Sequence, residues 1–267
     1  MDAAFRISKF ERTPRQLATL SWSRMARLVQ EYFPALNKRC PVCGALKDEA
    51  SSDPASTATL NVCAVCRSRL VQRITGYCPR CGKLYEVDAG PPMLCLDCRL
   101  SPPPWHNVYF YGPYNDLLKS LVLRFKFQAQ LGLGRLLHDL LRLSLQAAEA
   151  TSHDLIVPIP LHPRKLRDRG FNQSLELSRG ISHDGFGNLR VNALSRIRNT
   201  PAQHTLPRAQ RMQNLKGAFQ ADNALVHGRT VLLVDDILTT GATAHAAART
   251  LLQAGAVSVD LLVLARA

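Results

Sequence analysis

Residues 231–243 constrain the fold of this chain more than any other stretch of the sequence. The apolar residues 231–234 follow one another without alternation, which is typical of a strand buried on both faces of a parallel sheet. Asp235 and Asp236 come next, and such a strand cannot accommodate two carboxylates. We therefore predict that the strand ends there, at the edge of an α/β sheet where ligands bind.

A turn rich in small hydroxyl residues follows the acidic pair and leads into a helix pattern. Residues 244–252 place alanines and leucines on one helical face, and Gly255 ends the pattern. A helix that begins at such a turn leaves backbone N–H groups free to hold a phosphate. Adjacent carboxylates suit a sugar diol or a divalent cation. A 5-phosphosugar would therefore suit both the carboxylate pair and the phosphate-binding turn. The turn consists of Thr239, Thr240, Gly241, Ala242 and Thr243.

This segment resembles the signature with which type I phosphoribosyltransferases bind 5-phosphoribosyl 1-diphosphate (PRPP). The resemblance implies an α/β fold with a mostly parallel sheet flanked by helices. It also implies that Asp235 and Asp236 are catalytic residues that hold the ribose hydroxyls and Mg²⁺. By the same resemblance, residues 239–243 bind the 5-phosphate.

Two other interpretations of the acidic strand stay open. One is a Walker-B-like strand of an NTPase, a class that also needs a G-x-x-x-x-G-K-[ST] loop. The pair of Gly82 and Lys83 is followed by Leu84 and lies among cysteines, so it does not supply that loop. The other interpretation is an αβ turn unrelated to phosphate.

All eight cysteines lie between residues 40 and 98, in four C-x-x-C pairs that form an internal repeat. Such pairs are typical zinc ligands, because each places two thiolates on one side of a tetrahedral ion. Since each repeat unit holds two pairs, we predict two structural zinc ions, each with four thiolate ligands. One site consists of Cys40, Cys43, Cys63 and Cys66, and the other of Cys78, Cys81, Cys95 and Cys98.

Three other kinds of chemistry also use paired cysteines. Disulfides are not expected, because the N-terminal sequence lacks a secretory signal. Redox motifs do not normally occur in four copies, whereas iron–sulfur ligation stays an alternative to zinc. The polar residues 47–59 between two of the pairs are predicted to form a surface loop.

The chain is basic: its 267 residues include 34 Lys and Arg against 20 Asp and Glu, a formal net charge of +14. This excess suggests a polyanionic partner or substrate, although many proteins are simply basic. No apolar run reaches the roughly 18 residues of a membrane span, so no transmembrane helix is predicted. Residues 1–39 form a basic extension, with an amphipathic helix predicted at residues 17–36.

The rest of the chain alternates between strand and helix patterns, as an α/β fold requires. The polar and basic residues 196–211 are predicted to form a mobile loop over the site. The proline-rich residues 101–104 end the cysteine region as an extended spacer. Strands are predicted at residues 108–111, 155–160, 189–194 and 257–264, and helices at residues 114–127, 131–148 and 170–181.

Four cations follow the predicted strand at residues 155–160. Phosphoribosyltransferases place their pyrophosphate loop at this position, and cations there can hold a diphosphate. A solvated basic face is the alternative. His162, in the same run, is predicted to be structural because no nucleophile accompanies it. The cations are Arg164, Lys165, Arg167 and Arg169.

The order of these features resembles the ComF family of bacterial competence proteins, also described as GntX-like, over residues 28–267. Cysteine ribbons come first, followed by a Pro-x-Pro-x-His-Pro motif and the basic run. An Arg-x-Thr-x-x-Gln motif at Arg198, Thr200 and Gln203 comes next. Residues 217–219, Gly-Ala-Phe, then precede the acidic strand.

The ComF resemblance implies a zinc-bearing cytoplasmic protein with a phosphoribosyltransferase-type domain, linked to uptake and processing of transforming single-stranded DNA. The implied partners are PRPP or another 5-phosphoribosyl ligand, single-stranded DNA, and a competence helicase or other DNA-processing proteins. We accordingly divide the chain into a basic extension at residues 1–39, a double zinc ribbon at residues 40–104 and a phosphoribosyltransferase-like domain at residues 105–267.

Two functions from different classes stay open. One is an enzyme of nucleotide or base salvage that displaces pyrophosphate from PRPP with Mg²⁺. The other is a module that binds PRPP or a nucleic-acid 5′-phosphate while the ribbons and the basic surface hold single strands. The acceptor is not identified, because no nucleobase hood is recognisable. A complete glutamine-dependent amidotransferase is disfavoured, because no cysteine nucleophile follows Met1.

Overall fold

The structure of the chain is a computed structural model. The predicted helix at residues 17–36 lies outside the residues that it describes, and so do most of the predicted linker at residues 47–59 and residues 201–214 of the predicted mobile loop. The described residues are 38–47, 60–86, 90–200 and 215–267.

Strands and helices alternate through most of the described chain. The strands are β1 (Val108–Pro113), β2 (Leu155–Pro158), β3 (Asn188–Leu189), β4 (Leu194–Arg196), β5 (Phe219–Ala221), β6 (Thr230–Val234), β7 (Ile237–Leu238) and β8 (Ser258–Arg266). The helices are α1 (Ala64–Ser68), α2 (Leu96–Leu100), α3 (Asp116–Phe127), α4 (Gly134–Ala147), α5 (Pro163–Arg169), α6 (Gln173–His183), α7 (Asn223–Val226) and α8 (Ala242–Gln253). Within the described ranges, no helix combines the length and the apolar character that crossing a membrane requires.

The main sheet is parallel, with the strand order β1-β8-β6-β2-β3, and β7 pairs with the end of β8. β6 therefore lies between β8 and β2. Its side chains alternate between two cores, with Leu232 and Val234 on one face of the sheet and Val231 and Leu233 on the other. All four side chains are fully buried. The prediction of a strand buried on both faces is confirmed.

Helices cover both faces of this sheet. On one face, α3, α4 and α6 bury Leu121, Leu137 and Ile181. On the other face, α8 buries Ala247 and Leu251 beside the antiparallel pair of β4 and β5. This three-layer arrangement is the α/β fold that was predicted, and it brings the carboxyl ends of β1, β2, β6 and β8 to one edge of the sheet.

The cysteine region covers the outer side of β1, the edge strand of the sheet. The backbone N–H of Arg73 donates to the carbonyl of Tyr111 at 2.8 Å, and the N–H of Val108 donates to the carbonyl of Pro79 at 2.9 Å. The Tyr111 hydroxyl donates to the carbonyl of Leu70 at 2.7 Å. Backbone groups that an edge strand exposes are thus satisfied by the cysteine region.

Side chains of the first cysteine group also belong to the core under α3 and α4. Cys40, Val42 and Cys66 are buried in the same hydrophobic cluster as Leu121 and Leu137. The cysteine region therefore packs directly against the α/β part of the chain. The domain boundary after residue 104 stays a prediction.

The basic run forms the helix α5, whereas the sequence analysis expected a loop there. Pro163 stands in the first turn, where its fixed φ suits a helix and its missing N–H has no cost. The His162 ring caps the helix, because its Nδ1 accepts a hydrogen bond from the Arg164 N–H at 3.3 Å. Gly170 ends the helix with a φ of 81°. The structural role predicted for His162 is consistent with this cap.

The predicted strand at residues 189–194 consists of two short strands in different sheets. β3 pairs with β2 of the main sheet, whereas β4 pairs with β5. A 3₁₀ turn at Val191–Ala193 separates them. The predicted helix at residues 170–181 begins only at Gln173, because the Asn172 side chain accepts the Ser174 N–H at 3.2 Å and caps it.

Candidate functional site

The two carboxylates at the end of β6 occupy different environments. Asp235 is half-buried, and its Oδ1 accepts hydrogen bonds from the Ser174 hydroxyl at 3.0 Å and from the Asp236 backbone N–H at 2.9 Å. The Asp236 side chain is 9% exposed and lies 2.7 Å from the ammonium nitrogen of Lys126. Asp235 also lines a pocket at the edge of the sheet, whereas Asp236 forms an ion pair with α3.

The pocket beside Asp235 is formed by the predicted phosphate turn and the first residues of α8. Its lining includes Thr239, Gly241 and Thr243. Gly241 caps α8 with a φ of 77°, and a Cβ at this position would lie 3.3 Å from the Trp105 ring. The positive φ favours glycine, and the close ring leaves little room for a side chain. The structure therefore places a carboxylate and a helix N-terminus around one pocket.

Asp235 titrates near neutrality. Burial, together with the charge of Asp236, raises the pKa of Asp235 to about 7. Lys126 and the hydrogen bonds from Asp236 and Ser174 act in the opposite direction. A carboxylate with such a raised pKa, facing a pocket, is typical of functional sites.

The four predicted cations all lie on α5, and they differ in their exposure to solvent. Lys165 and Arg169 are four residues apart on one helical face and are half-buried, whereas Arg164 and Arg167 are exposed. Burial lowers the pKa of Lys165, and the charges of Arg196 and Arg169 lower it further. Because these cations repel one another, an anion bound among them would be stabilised.

Arg196 is a further cation near the site, which the sequence analysis placed only at the start of a loop. Its guanidinium carbon lies 5.5 Å from the Phe219 ring centroid, and its Nη2 donates to the Thr200 hydroxyl at 2.5 Å. Its Nε is buried and has no hydrogen-bond partner among the described residues. Burial lowers the pKa of Arg196, and the charge of Asp235 opposes this. Arg196 is thus within electrostatic reach of Asp235.

Arg266 connects the phosphate turn to the second cysteine group. Its Nε donates to the carbonyl of Cys81 at 3.0 Å. Its Nη1 donates to the carbonyls of Leu238 and Thr239 at 3.0 and 2.8 Å. Gly82 lies against the same side chain, because a Cβ there would be 3.1 Å from the Arg266 Cδ. One guanidinium therefore holds the turn and the cysteine knuckle together.

The structure brings together both cysteine groups that were predicted. In each group the four sulfur atoms lie within 4.8 Å of one another. The Sγ atoms of Cys43 and Cys63 are 3.7 Å apart, as are those of Cys81 and Cys95. Tetrahedral zinc with Zn–S bonds of about 2.3 Å places sulfur atoms about 3.8 Å apart, so both groups fit the ion. The eight cysteines are free thiols in the structure, with no disulfide among them.

The thiols of each group have unequal pKa values. Burial tends to raise the pKa of Cys40, but backbone N–H groups of Cys63, Cys43 and Val42 outweigh burial and lower the pKa to about 6. Burial raises the pKa of Cys81 to about 11, and Cys78 contributes to this increase. Against burial, backbone and side-chain hydrogen bonds also lower the pKa of Cys78, to about 7, so one thiolate per group is favoured, whereas four adjacent thiolates require a cation.

The sequence analysis did not assign Lys126, Ser174, Arg196 or Arg266 to the site. The sequence does not indicate that the helix carrying Lys126 reaches the acidic pair. Arg198 is exposed and donates to the carbonyl of Lys216. Gln203, Arg208 and Arg211 of the predicted mobile loop lie outside the described residues.

The Arg266 contacts predict that the phosphate turn loosens when this side chain is removed. Arg266→Ala should accelerate amide hydrogen exchange in residues 238–243 and 81–83 by about tenfold, the effect of about 1.4 kcal/mol in local opening. Exchange in β6 should not change. Arg229→Ala is the matched control, because Arg229 forms only an exposed ion pair with Asp154. Unchanged protection of both segments in Arg266→Ala would contradict the connection.

Comparison with known proteins extends these observations. The phosphoribosyl transferase domain family matches residues 186–267. Together with the sheet topology, this match shows a phosphoribosyltransferase-like fold. A solved glutamine PRPP amidotransferase from B. subtilis is 19% identical, with a TM-score of 0.32 over 55% of this chain and 26% of that chain. A TM-score of this size supports no conclusion about this chain.

Curated relatives match over most of their length. The DNA utilization protein YhgH of Salmonella typhi is 34% identical over 80% of this chain and 93% of its own. Competence protein F of Haemophilus influenzae is 32% identical over 77% and 90% of the two chains. Competence protein ComFC of Bacillus subtilis is 31% identical over 77% and 84%. By this identity and coverage, the chain belongs to the ComF family.

Proposed function

We propose that this protein binds a 5-phosphorylated ribose, such as that of PRPP, at the carboxyl edge of its sheet. The proposal rests on one observation, a pocket that is lined by Asp235, by the Gly241 turn and by the start of α8. An anion gains there from the helix dipole and from backbone N–H groups. A carboxylate beside it can accept hydrogen bonds from sugar hydroxyls.

Each part of the ligand has a matching group in this arrangement. Residues 239–243 hold the 5-phosphate, and Asp235 accepts from the ribose hydroxyls. Lys165 and Arg169 bind the diphosphate, and the charge of Arg196 adds to their attraction for it. A bound Mg²⁺ would neutralise diphosphate charge, for which Asp235 and the diphosphate supply the oxygen ligands it prefers.

Asp236 differs from the role that the family signature implies for it. Its ion pair with Lys126 at 2.7 Å fixes the end of α3 against the end of β6. A role of Asp236 as a second ribose ligand therefore requires Lys126 to move. We assign direct ligand binding first to Asp235 and keep Asp236 as a predicted second ligand.

A nucleic-acid role is the second part of the proposal. Relatives of this chain are named competence and DNA utilization proteins. The formal net charge is +14, and Arg164 and Arg167 are exposed on α5. We propose that the protein binds single-stranded DNA in the cytoplasm during DNA uptake or processing, with a competence helicase or other DNA-processing proteins as partners.

Turnover of PRPP is the alternative to binding alone. In that reaction the bond between the anomeric carbon and the diphosphate oxygen breaks, and the diphosphate leaves with the electron pair. An acceptor atom forms the new bond and releases its proton. Pyrophosphate release on adding candidate bases or DNA to the protein with PRPP distinguishes an enzyme from a binding module.

The two cysteine groups are proposed to hold one structural zinc ion each. Purified protein should then contain about two zinc ions per chain by elemental analysis. Cys78→Ser should retain about one, and Cys40→Ser with Cys78→Ser should retain none. Iron with acid-labile sulfide, or two zinc ions retained in Cys78→Ser, would contradict the assignment.

The raised pKa of Asp235 predicts a pH dependence of ribose 5-phosphate binding. At pH 6 the carboxyl is mostly protonated, and at pH 8 it is mostly ionised and accepts from the hydroxyls. If only the ionised form binds, affinity rises about tenfold across this range, on a pKa near 7. The ligand's own phosphate, with a second pKa of about 6, adds about twofold.

Asp235→Asn separates the contribution of the Asp235 carboxylate to the pH dependence from that of the ligand phosphate. Its affinity should be about tenfold lower than that of the wild type at pH 8 and should rise only about twofold from pH 6 to pH 8. Calorimetric titration at both pH values measures this. An equally steep rise in Asp235→Asn would exclude Asp235 as the titrating ligand.

The exposed cations of α5 predict salt-dependent binding of single-stranded DNA. Arg164→Glu with Arg167→Glu should weaken binding and reduce the slope of log K against log salt by about 1.4, or about 0.7 for each phosphate contact. Arg229→Glu, at the opposite edge of the sheet, is the control and should change little. Wild-type protein without measurable DNA binding at low salt would overturn this part of the proposal.

A further inference from the structure

The two cysteine groups differ in their surroundings. Cys40 and Cys66 of the first group are buried in the core under α3 and α4. The Arg124 side chain on α3 also donates to the carbonyl of Val42 in this group at 2.9 Å. The buried cysteines of the second group form a small cluster of their own, apart from that core. An ion in the first group would therefore stabilise the core of the fold, whereas an ion in the second group would act on other contacts.

The second group contacts the α/β part of the chain through the knuckle at residues 78–81. The carbonyl of Arg80 accepts a hydrogen bond from the indole N–H of Trp105 at 2.6 Å. The next carbonyl, that of Cys81, accepts from the Nε of Arg266 at 3.0 Å. An ion that is bound by the cysteines at both ends of this knuckle would fix the direction of both carbonyls.

The same two side chains contact the phosphate turn. The Trp105 ring is 3% exposed, and a Cβ on Gly241 would lie 3.3 Å from it. The Nη1 of Arg266 donates to the carbonyls of Leu238 and Thr239 at 3.0 and 2.8 Å. The start of the turn and the glycine that caps α8 therefore both lie against side chains that the knuckle holds in place.

We propose that the second cysteine group is a regulatory metal site for the pocket at residues 235–243. Its zinc ion and a bound ribose phosphate stabilise each other, because both favour one position of Trp105, of Arg266 and of the turn beside them. The inference rests on the proposed function, because it names the regulation of that pocket. Loss of zinc from this group alone weakens the binding of ribose phosphate and leaves the main core intact.

Thermodynamic linkage gives this coupling a measurable form. If zinc in the second group raises the affinity for the ligand by some factor, the ligand raises the affinity of this group for zinc by the same factor. A factor of about tenfold is ordinary for two linked sites. The first group, whose contacts are with the core, should show no such effect of the ligand.

The first arm of the test measures zinc retention in the wild-type chain. The protein is equilibrated in chelator buffers of decreasing free zinc, and a short pulse of iodoacetamide then labels the thiols that have lost their ion. Mass spectrometry of the cysteine peptides distinguishes the two groups. Ribose 5-phosphate should lower the free zinc concentration at which the second group is half-occupied by about tenfold and should leave that of the first group unchanged.

Arg266→Ala removes one of the two links between the knuckle and the turn. It should reduce the tenfold shift to about threefold, because Trp105 keeps the other link. Arg229→Ala is the matched control and should retain the full shift, because Arg229 forms an exposed ion pair with Asp154. A full shift in Arg266→Ala would overturn the proposal, as would a wild type in which the ligand shifts both groups equally or neither.

The second arm needs no ligand and compares Cys63→Ser with Cys95→Ser, which are corresponding positions of the cysteine repeat. Cys95→Ser should accelerate amide hydrogen exchange in residues 238–243 about tenfold relative to exchange in β6, and Cys63→Ser should not. The same ratio in both variants would contradict the coupling. Failure of the wild type to bind ribose 5-phosphate rejects the proposed ligand of the pocket instead, and the second arm then decides the coupling alone.

Discussion

A strand buried on both faces cannot carry two carboxylates, so β6 ends where Asp235 and Asp236 begin. The position of the pocket depends on where this strand ends. Leu232 and Val234 fill one core and Val231 and Leu233 fill the other, so no polar side chain fits at residues 231–234. Asp235 and Asp236 emerge together where the sheet ends. The ion pair between Asp236 and Lys126 keeps one charge compensated inside the protein, and Asp235 is left to face the pocket.

The cysteine region contributes to the fold and to the pocket alike. It satisfies backbone groups of the edge strand β1, and its first group shares the core under α3 and α4. Its second group contacts the phosphate turn through Arg266, which bonds the carbonyls of Cys81 and Thr239. Ions that hold the cysteines in place would therefore also help to hold the turn.

The local sequence pattern was sufficient to predict features that depend on residues close together in the chain. The apolar run before Asp235, the glycine in the phosphate turn and the repeat of the C-x-x-C pairs predicted the strand, the pocket and the grouping of the thiols. The basic run was expected as a loop, although Pro163 after His162 is a helix start that could have been recognised. Lys126 and Arg196 escaped prediction because only tertiary packing brings α3 and β4 to the end of β6.

The central claim is that one pocket at the end of β6 holds a phosphorylated ribose. A crystal structure of the protein with ribose 5-phosphate tests it most directly. We expect phosphate oxygens within hydrogen-bond distance of backbone N–H groups in residues 239–243, with ribose hydroxyls on the Asp235 carboxylate. A ligand found with its phosphate on α5 and its sugar away from Asp235 would show that the pocket is not the ribose-phosphate site.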